Sequence, residues 1–141
     1  MKFTYLSGMV LLLAVALHGC ARIQETTKVI WGSSTRALEE ARSEAVAKVY
    51  QCSFEECYKE VSKIIELEEL EIFIKERVKK YIVIIGIKGS VNTTEVGVFF
   101  TVLNEHETKI EISSLSTNAK VKVADIFFLQ LAQVFAERKE H

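Results

Sequence analysis

The chain has 141 residues, a formal net charge of −1 and 49% hydrophobic residues, a size and composition that suit one domain with a real core. No basic stripe runs through it, so no nucleic-acid partner is expected. Three histidines (His18, His106, His141) and a single aspartate (Asp125) leave little from which to build a Ser-His-Asp or Cys-His centre.

The first element is a leader. Lys2 gives a short positive region, and an uninterrupted apolar run follows from Met9 to Leu17. That run is too short for a membrane-spanning helix, which needs roughly 20 apolar residues. Leu17-His18-Gly19-Cys20 comes next. It resembles the lipobox of bacterial lipoproteins: an aliphatic residue, a variable one, a small one, then the cysteine that is acylated. The resemblance covers the first 20 residues, and His18 stands where a small or aliphatic residue is usual. It implies removal of residues 1–19 as a signal peptide, lipidation at Cys20 and attachment to a membrane through that N-terminal lipid anchor. The mature chain is then 141 residues less the leader's 19, or 122, with a net charge of about −2. Ala21 is not the aspartate that retains enterobacterial lipoproteins at the inner membrane, so the resemblance implies the outer membrane, facing the periplasm. The alternative is ordinary secretory cleavage, for example after Ala21.

Residues 20–33 read as a lipidated tether, and residues 34–141 as a single α+β domain. Within the tether, Val29, Ile30 and Trp31 form the only apolar cluster. Trp31 suits either a membrane interface or one edge of the core. Ser33, Ser34 and Thr35 offer N-caps for a helix over 36–45, with Leu38, Ala41 and Ala45 on one face. Residues 45–50 either continue that helix or form a strand; the strand is the preferred reading.

Ser53 opens the clearest helix. Phe54, Cys57, Tyr58, Val61, Ile64 and Ile65 recur at helical spacing, and Ser53-Phe54-Glu55-Glu56 has the form of a capping box. Strands follow. Leu70, Ile72 and Ile74 alternate with charged residues as in a half-buried strand. Tyr81 to Ile87 is apolar on both faces, which makes it a central strand or one whose second face meets a partner. Lys79-Lys80 would turn the chain between these two. Gly86, Gly89, Ser90 and Asn92 mark a loop.

Val96, Val98, Phe100 and Val102 then share one face of a strand, and Ile110 and Ile112 point inward from the next. Keeping both sets on one side requires an odd-numbered loop around His106, because a one-residue slip flips every side chain. A last helix, capped by Thr117 or Asn118, carries Ala124, Phe127, Phe128, Leu131, Val134 and Phe135 as its apolar stripe.

This order predicts an α+β fold: two main helices packed on one face of a four-stranded, or with residues 45–50 five-stranded, antiparallel sheet. The order resembles the helix-grip arrangement of several envelope proteins. One is the small lipoprotein accessory of the outer-membrane β-barrel assembly machine, with which no motif is shared.

Cys52 and Cys57 occupy the position before the Ser53 cap and the fourth position of the helix, the pair that meets in a hydrophobic staple. In an oxidising compartment this predicts a disulfide. Two free thiols, a metal pair or a redox dithiol are the alternatives, although the metal lacks further ligands and the redox reading lacks Cys-x-x-Cys spacing. The hydroxyl runs Thr93-Thr94 and Ser113 to Thr117 suit a polar ligand mouth or, more simply, strand-edge bonds and caps. Phe99-Phe100 and Phe127-Phe128 either edge an apolar cavity or each divide into a core residue and an outward one.

No HExxH, GxSxG, P-loop or dinucleotide fingerprint is present. No catalytic residue, metal or cofactor is therefore assigned, although glutamates are numerous enough to leave a glycosidase-like pair open. The expected role is that of an interaction or structural module of the bacterial envelope, with an envelope protein meeting the strand at Ile82 and Ile84. The alternative is a binder of a small apolar ligand or lipid, in a cavity between the sheet and the C-terminal helix.

Overall fold

The structure is a computed structural model, and it describes residues 34–87 and 93–137. By their contacts, residues up to Arg36 and residues from Ala37 onward fall into separate units, and the architecture below is that of the second. Residues 34–40 are helical (α1) and tighten into a 3₁₀ turn, Ala41–Glu44. Five strands and two longer helices follow in the order β1 (Val46–Tyr50), α2 (Phe54–Leu67), β2 (Glu71–Glu76), β3 (Tyr81–Ile85), β4 (Val96–Asn104), β5 (Glu107–Ser113) and α3 (Thr117–Glu137). The strands form one open antiparallel sheet ordered β1-β5-β4-β3-β2. Residues 46–50 are thus a strand, and they lie at the edge.

Local chemistry explains the ends of the helices. Ser53 accepts from the Glu56 N–H (3.3 Å), and the Glu56 carboxylate accepts from the Ser53 N–H (2.9 Å), completing the capping box. At the other end Glu69 takes a left-handed conformation (φ 52°), and the Leu70 N–H reaches the Ile65 carbonyl at 3.0 Å. The cap of α3 lies one residue earlier than the sequence pattern indicates. Ser116, rather than Thr117 or Asn118, accepts from the Ala119 N–H (3.3 Å).

Register assigns the faces. The pairs Val98↔Ile112 and Phe100↔Ile110 set four apolar side chains on one side of the sheet. The shared face is as predicted, but the odd-numbered loop is corrected: the turn is the two residues Glu105-His106, and a bulge between Val102 and Asn104 supplies the extra residue that keeps the faces aligned. These side chains, with Val96 of β4 and Ile82 and Ile84 of the neighbouring β3, pack against Val61, Ile64 and Ile65 of α2 and Val123, Phe127 and Leu131 of α3.

One expectation about faces is corrected. A bulge between Ile72 and Ile74 breaks the alternation of β2, so Ile72 lies opposite Ile84 but Ile74 lies opposite Val83, on the other face. Phe73 and Ile74 accordingly pack with Tyr81, Val83, Phe99 and Leu38. The two main helices, α2 and α3, share one face as the sequence predicts, and Leu38 of α1, only 2% exposed, adds cover to the second face.

Candidate functional site

The leader, the lipobox-like run with Cys20 and His18, the tether with Trp31, the loop residues Gly89, Ser90 and Asn92, and His141 all lie outside the described residues. The remaining histidine, His106, sits exposed in the β4–β5 turn, its backbone N–H donating to Asn104 Oδ1 at 2.9 Å. Next to it, the Glu107 carboxylate accepts from Gln51 Nε2 (2.5 Å) and Asn104 Nδ2 (2.6 Å). Those two hydrogen bonds hold its pKa below the usual carboxylate range. Asp125 is exposed on α3. The turn pins β5 to the residues after β1, and His106 has no buried carboxylate or hydroxyl placed beside it by these contacts.

Cys52 and Cys57 are joined in a disulfide, with Cα atoms 5.9 Å apart, a separation native bridges favour. Both cysteines are buried in the main core. The carbonyl of Cys52 also accepts from the buried Thr108 hydroxyl at 3.0 Å, which fastens the entrance of α2 to β5. The bridge therefore sets the angle at which the chain passes from the edge strand into the helix.

Ile82 and Ile84 are fully buried, at 0% exposure, on the helix-covered face of β3. The sequence reading that gave them to a partner is corrected: the double apolarity of this strand serves two internal layers. Its other side, Tyr81 and Val83, belongs to the smaller cluster under Leu38.

The second face carries the densest polar chemistry of the domain. Glu111, 7% exposed, accepts from Arg42 Nη2 (2.5 Å) and from the Thr101 hydroxyl (2.7 Å), with Lys109 Nζ at 3.3 Å. Burial opposes the charge of this carboxylate, but the bonds from Thr101 and Arg42 outweigh it and leave the pKa lowered. The Arg42 guanidinium also lies 4.7 Å from the centre of the Phe99 ring. That ring covers Gly97 so closely that an added Cβ would come within 2.5 Å of it, so a glycine is required there. Sequence reasoning missed this cluster, because Arg42 and Glu111 are 69 residues apart and no local period links them.

The other buried charges are likewise committed. Glu60 accepts from Lys63 (3.1 Å), and Lys120 donates to the Glu44 carbonyl (2.6 Å). The hydroxyl run from Ser113 is structural too. Ser113 donates to the Leu38 carbonyl and Ser114 to the Glu95 carbonyl, each at 2.7 Å. Among the described residues no group of three His, Cys, Asp or Glu side chains is placed to hold a metal ion.

The space between the sheet and α3 is filled by Ile110, Ile112, Phe127 and Leu131. An open groove of about 520 Å³ lies instead beside the end of β1, lined by Val49, Tyr50, Gln51 and Glu56 and by Ala132, Phe135 and Ala136 of α3. No described helix is long and apolar enough to cross a membrane. No family model, curated protein or solved structure matches the chain.

Proposed function

We propose that this chain is a lipoprotein of a bacterial envelope, anchored through Cys20 and facing the periplasm, whose domain acts by binding rather than by catalysis. The order of leader, aliphatic residue, small residue and cysteine at Leu17 to Cys20 is the observation that carries the reading. The Cys52–Cys57 disulfide supports it, because such bridges persist in oxidising compartments and are rare in a reducing cytosol. The buried carboxylates Glu111 and Glu60 are paired with cations and the buried Lys120 ammonium is hydrogen-bonded to a carbonyl, which supports a structural or interaction role over acid-base chemistry. The outer membrane is the proposed destination, on the identity of Ala21.

Cys20→Ser tests the anchor. Two or more acyl chains hold a protein to a bilayer almost permanently, whereas one gives only reversible binding. The variant should leave the membrane fraction or accumulate as uncleaved precursor. Unlipidated wild-type protein beginning at Arg22 would mean that ordinary secretory cleavage operates instead. His106→Ala should leave the cellular phenotype unchanged; a folded variant without function would overturn the non-catalytic reading.

A further inference from the structure

We infer that the β2–β3 turn is a contact point for an anionic bilayer, orienting the anchored domain on its own membrane; this rests on the lipoprotein reading above. Residues 75–80 carry Lys75, Arg77, Lys79 and Lys80 against Glu76, a net +3 in a chain whose total is −1. Val78 stands at the apex and is 91% exposed. The cations around it are held in place from below. Lys75 Nζ lies 5.5 Å from the Tyr58 ring centre and Lys80 Nζ 5.8 Å from that of Phe54, while Arg77 pairs with Glu55. Lys79 makes no ion pair among the described residues. Counting Glu55, the tip still carries a net +2.

One exposed apolar side chain at a turn flanked by basic residues matches the headgroup layer of a bilayer. Phosphates there meet the cations, and the apex reaches the acyl boundary. A protein partner would instead call for a flat or concave apolar surround, and the flanking residues Arg77, Lys79 and Lys80 are all exposed and charged. Each basic residue near an anionic surface strengthens attraction by about fivefold, too little to recruit a free protein securely. A tethered domain needs no more, because the anchor already supplies a high effective concentration. The proposed tether, residues 20–33, reaches about 50 Å when extended, against about 30 Å for β4, the longest strand. The turn can therefore meet the bilayer that holds the anchor.

The full chain, purified from membranes, is placed in vesicles of phosphatidylcholine alone or mixed with phosphatidylglycerol. An environment-sensitive fluorophore is attached at Val78→Cys or, as a reference, at Leu115→Cys. Leu115 is exposed just past β5, at the other end of the sheet. The emission at position 78 should shift to the blue only with phosphatidylglycerol and return at high salt. Lys79→Glu, on an exposed site, should weaken that contact about thirtyfold with no change in Tm. Position 115 should remain aqueous throughout. No shift at 78, an equal shift in neutral vesicles, an equal shift at 115, or indifference to Lys79→Glu would each overturn the inference. Intact mass of the same preparation reads acylation of Cys20 separately, so a missing anchor and a missing contact give different results.

Discussion

The side of the sheet that meets α2 and α3 is closed by broad aliphatic and aromatic packing, whereas the opposite side is closed by a small cluster around Leu38, Tyr81, Val83 and Phe99 and by a hydrogen-bonded carboxylate. The first arrangement is broad and tolerant: many side chains share the burial, and its strength scales with apolar area. The second is narrow and directional, because Glu111 is stable there only while Arg42 and Thr101 satisfy it. A single sheet thus carries two kinds of core. The 3₁₀ turn Ala41–Glu44 is fixed from both directions, by Arg42 to Glu111 and by Lys120 of α3 to the Glu44 carbonyl.

The difference predicts how each side fails. Phe127, at 0% exposure, is among the largest fully buried side chains of the helix face. Phe127→Ala should cost about 3–5 kcal/mol in urea unfolding, since a cavity is added to the lost transfer energy. Ile82→Lys should prevent folding rather than disrupt a partner, because a cation on that face has no counter-charge among its core neighbours. On the other face the loss of a side chain that is one-third exposed should still be costly. Arg42→Ala leaves a nearly buried carboxylate with Thr101 and Lys109 alone, and should cost about 2–3 kcal/mol. If Arg42→Ala proved neutral, the second face would be held by Leu38 and the rings, and the contrast between the faces would dissolve.

The helix-covered face was the legible one. Its signals are local: the capping box at Ser53, the stripes of α2 and α3, and the parity that aligns Val98 with Ile112. Residues 46–50 were also readable as a strand, although not their place at the edge. What escaped is non-local. The β2 bulge sends Ile74 away from Ile72, and nothing in Ile72-Phe73-Ile74 marks where alternation breaks. Ile82 and Ile84 looked partner-facing because an apolar strand with two covered faces reads like one with a docking face. Leu38 supplies part of the missing cover from a helix with too weak a stripe to show where it packs. Lys120 is buried in a stripe otherwise apolar because its ammonium finds a carbonyl 76 residues away.

The disulfide sharpens the comparison at the edge of the helix face, where Cys52 and Cys57 lie in the same cluster as Tyr50 and Tyr58. Cys57→Ser should cost about 2 kcal/mol, the loop-closure entropy of a short bridge. The premise is read first by intact mass of alkylated protein: two alkylatable thiols without prior reduction would remove it. Because the capping box lies inside the bridged loop, the variant should keep α2 and lose stability without losing helical signal.

The smallest expected effect is a pH dependence confined to the second face. The pKa of Glu111 is lowered in the fold, so its contribution to stability is fully present above the ordinary carboxylate pKa. That contribution is lost as pH falls through the folded-state value, because the unfolded chain binds the proton more readily. Glu107 contributes in the same direction, but it is only half-buried at the turn, where solvent screening keeps its share small. Stability measured by urea unfolding should therefore decline below the usual carboxylate range. Glu111→Gln removes the titration while keeping an acceptor for Arg42 and Thr101, so it should flatten the decline at modest cost near neutral pH. An unchanged acid slope in Glu111→Gln would assign the sensitivity to other carboxylates and leave the Arg42 contact as a neutral hydrogen bond rather than a charge pair.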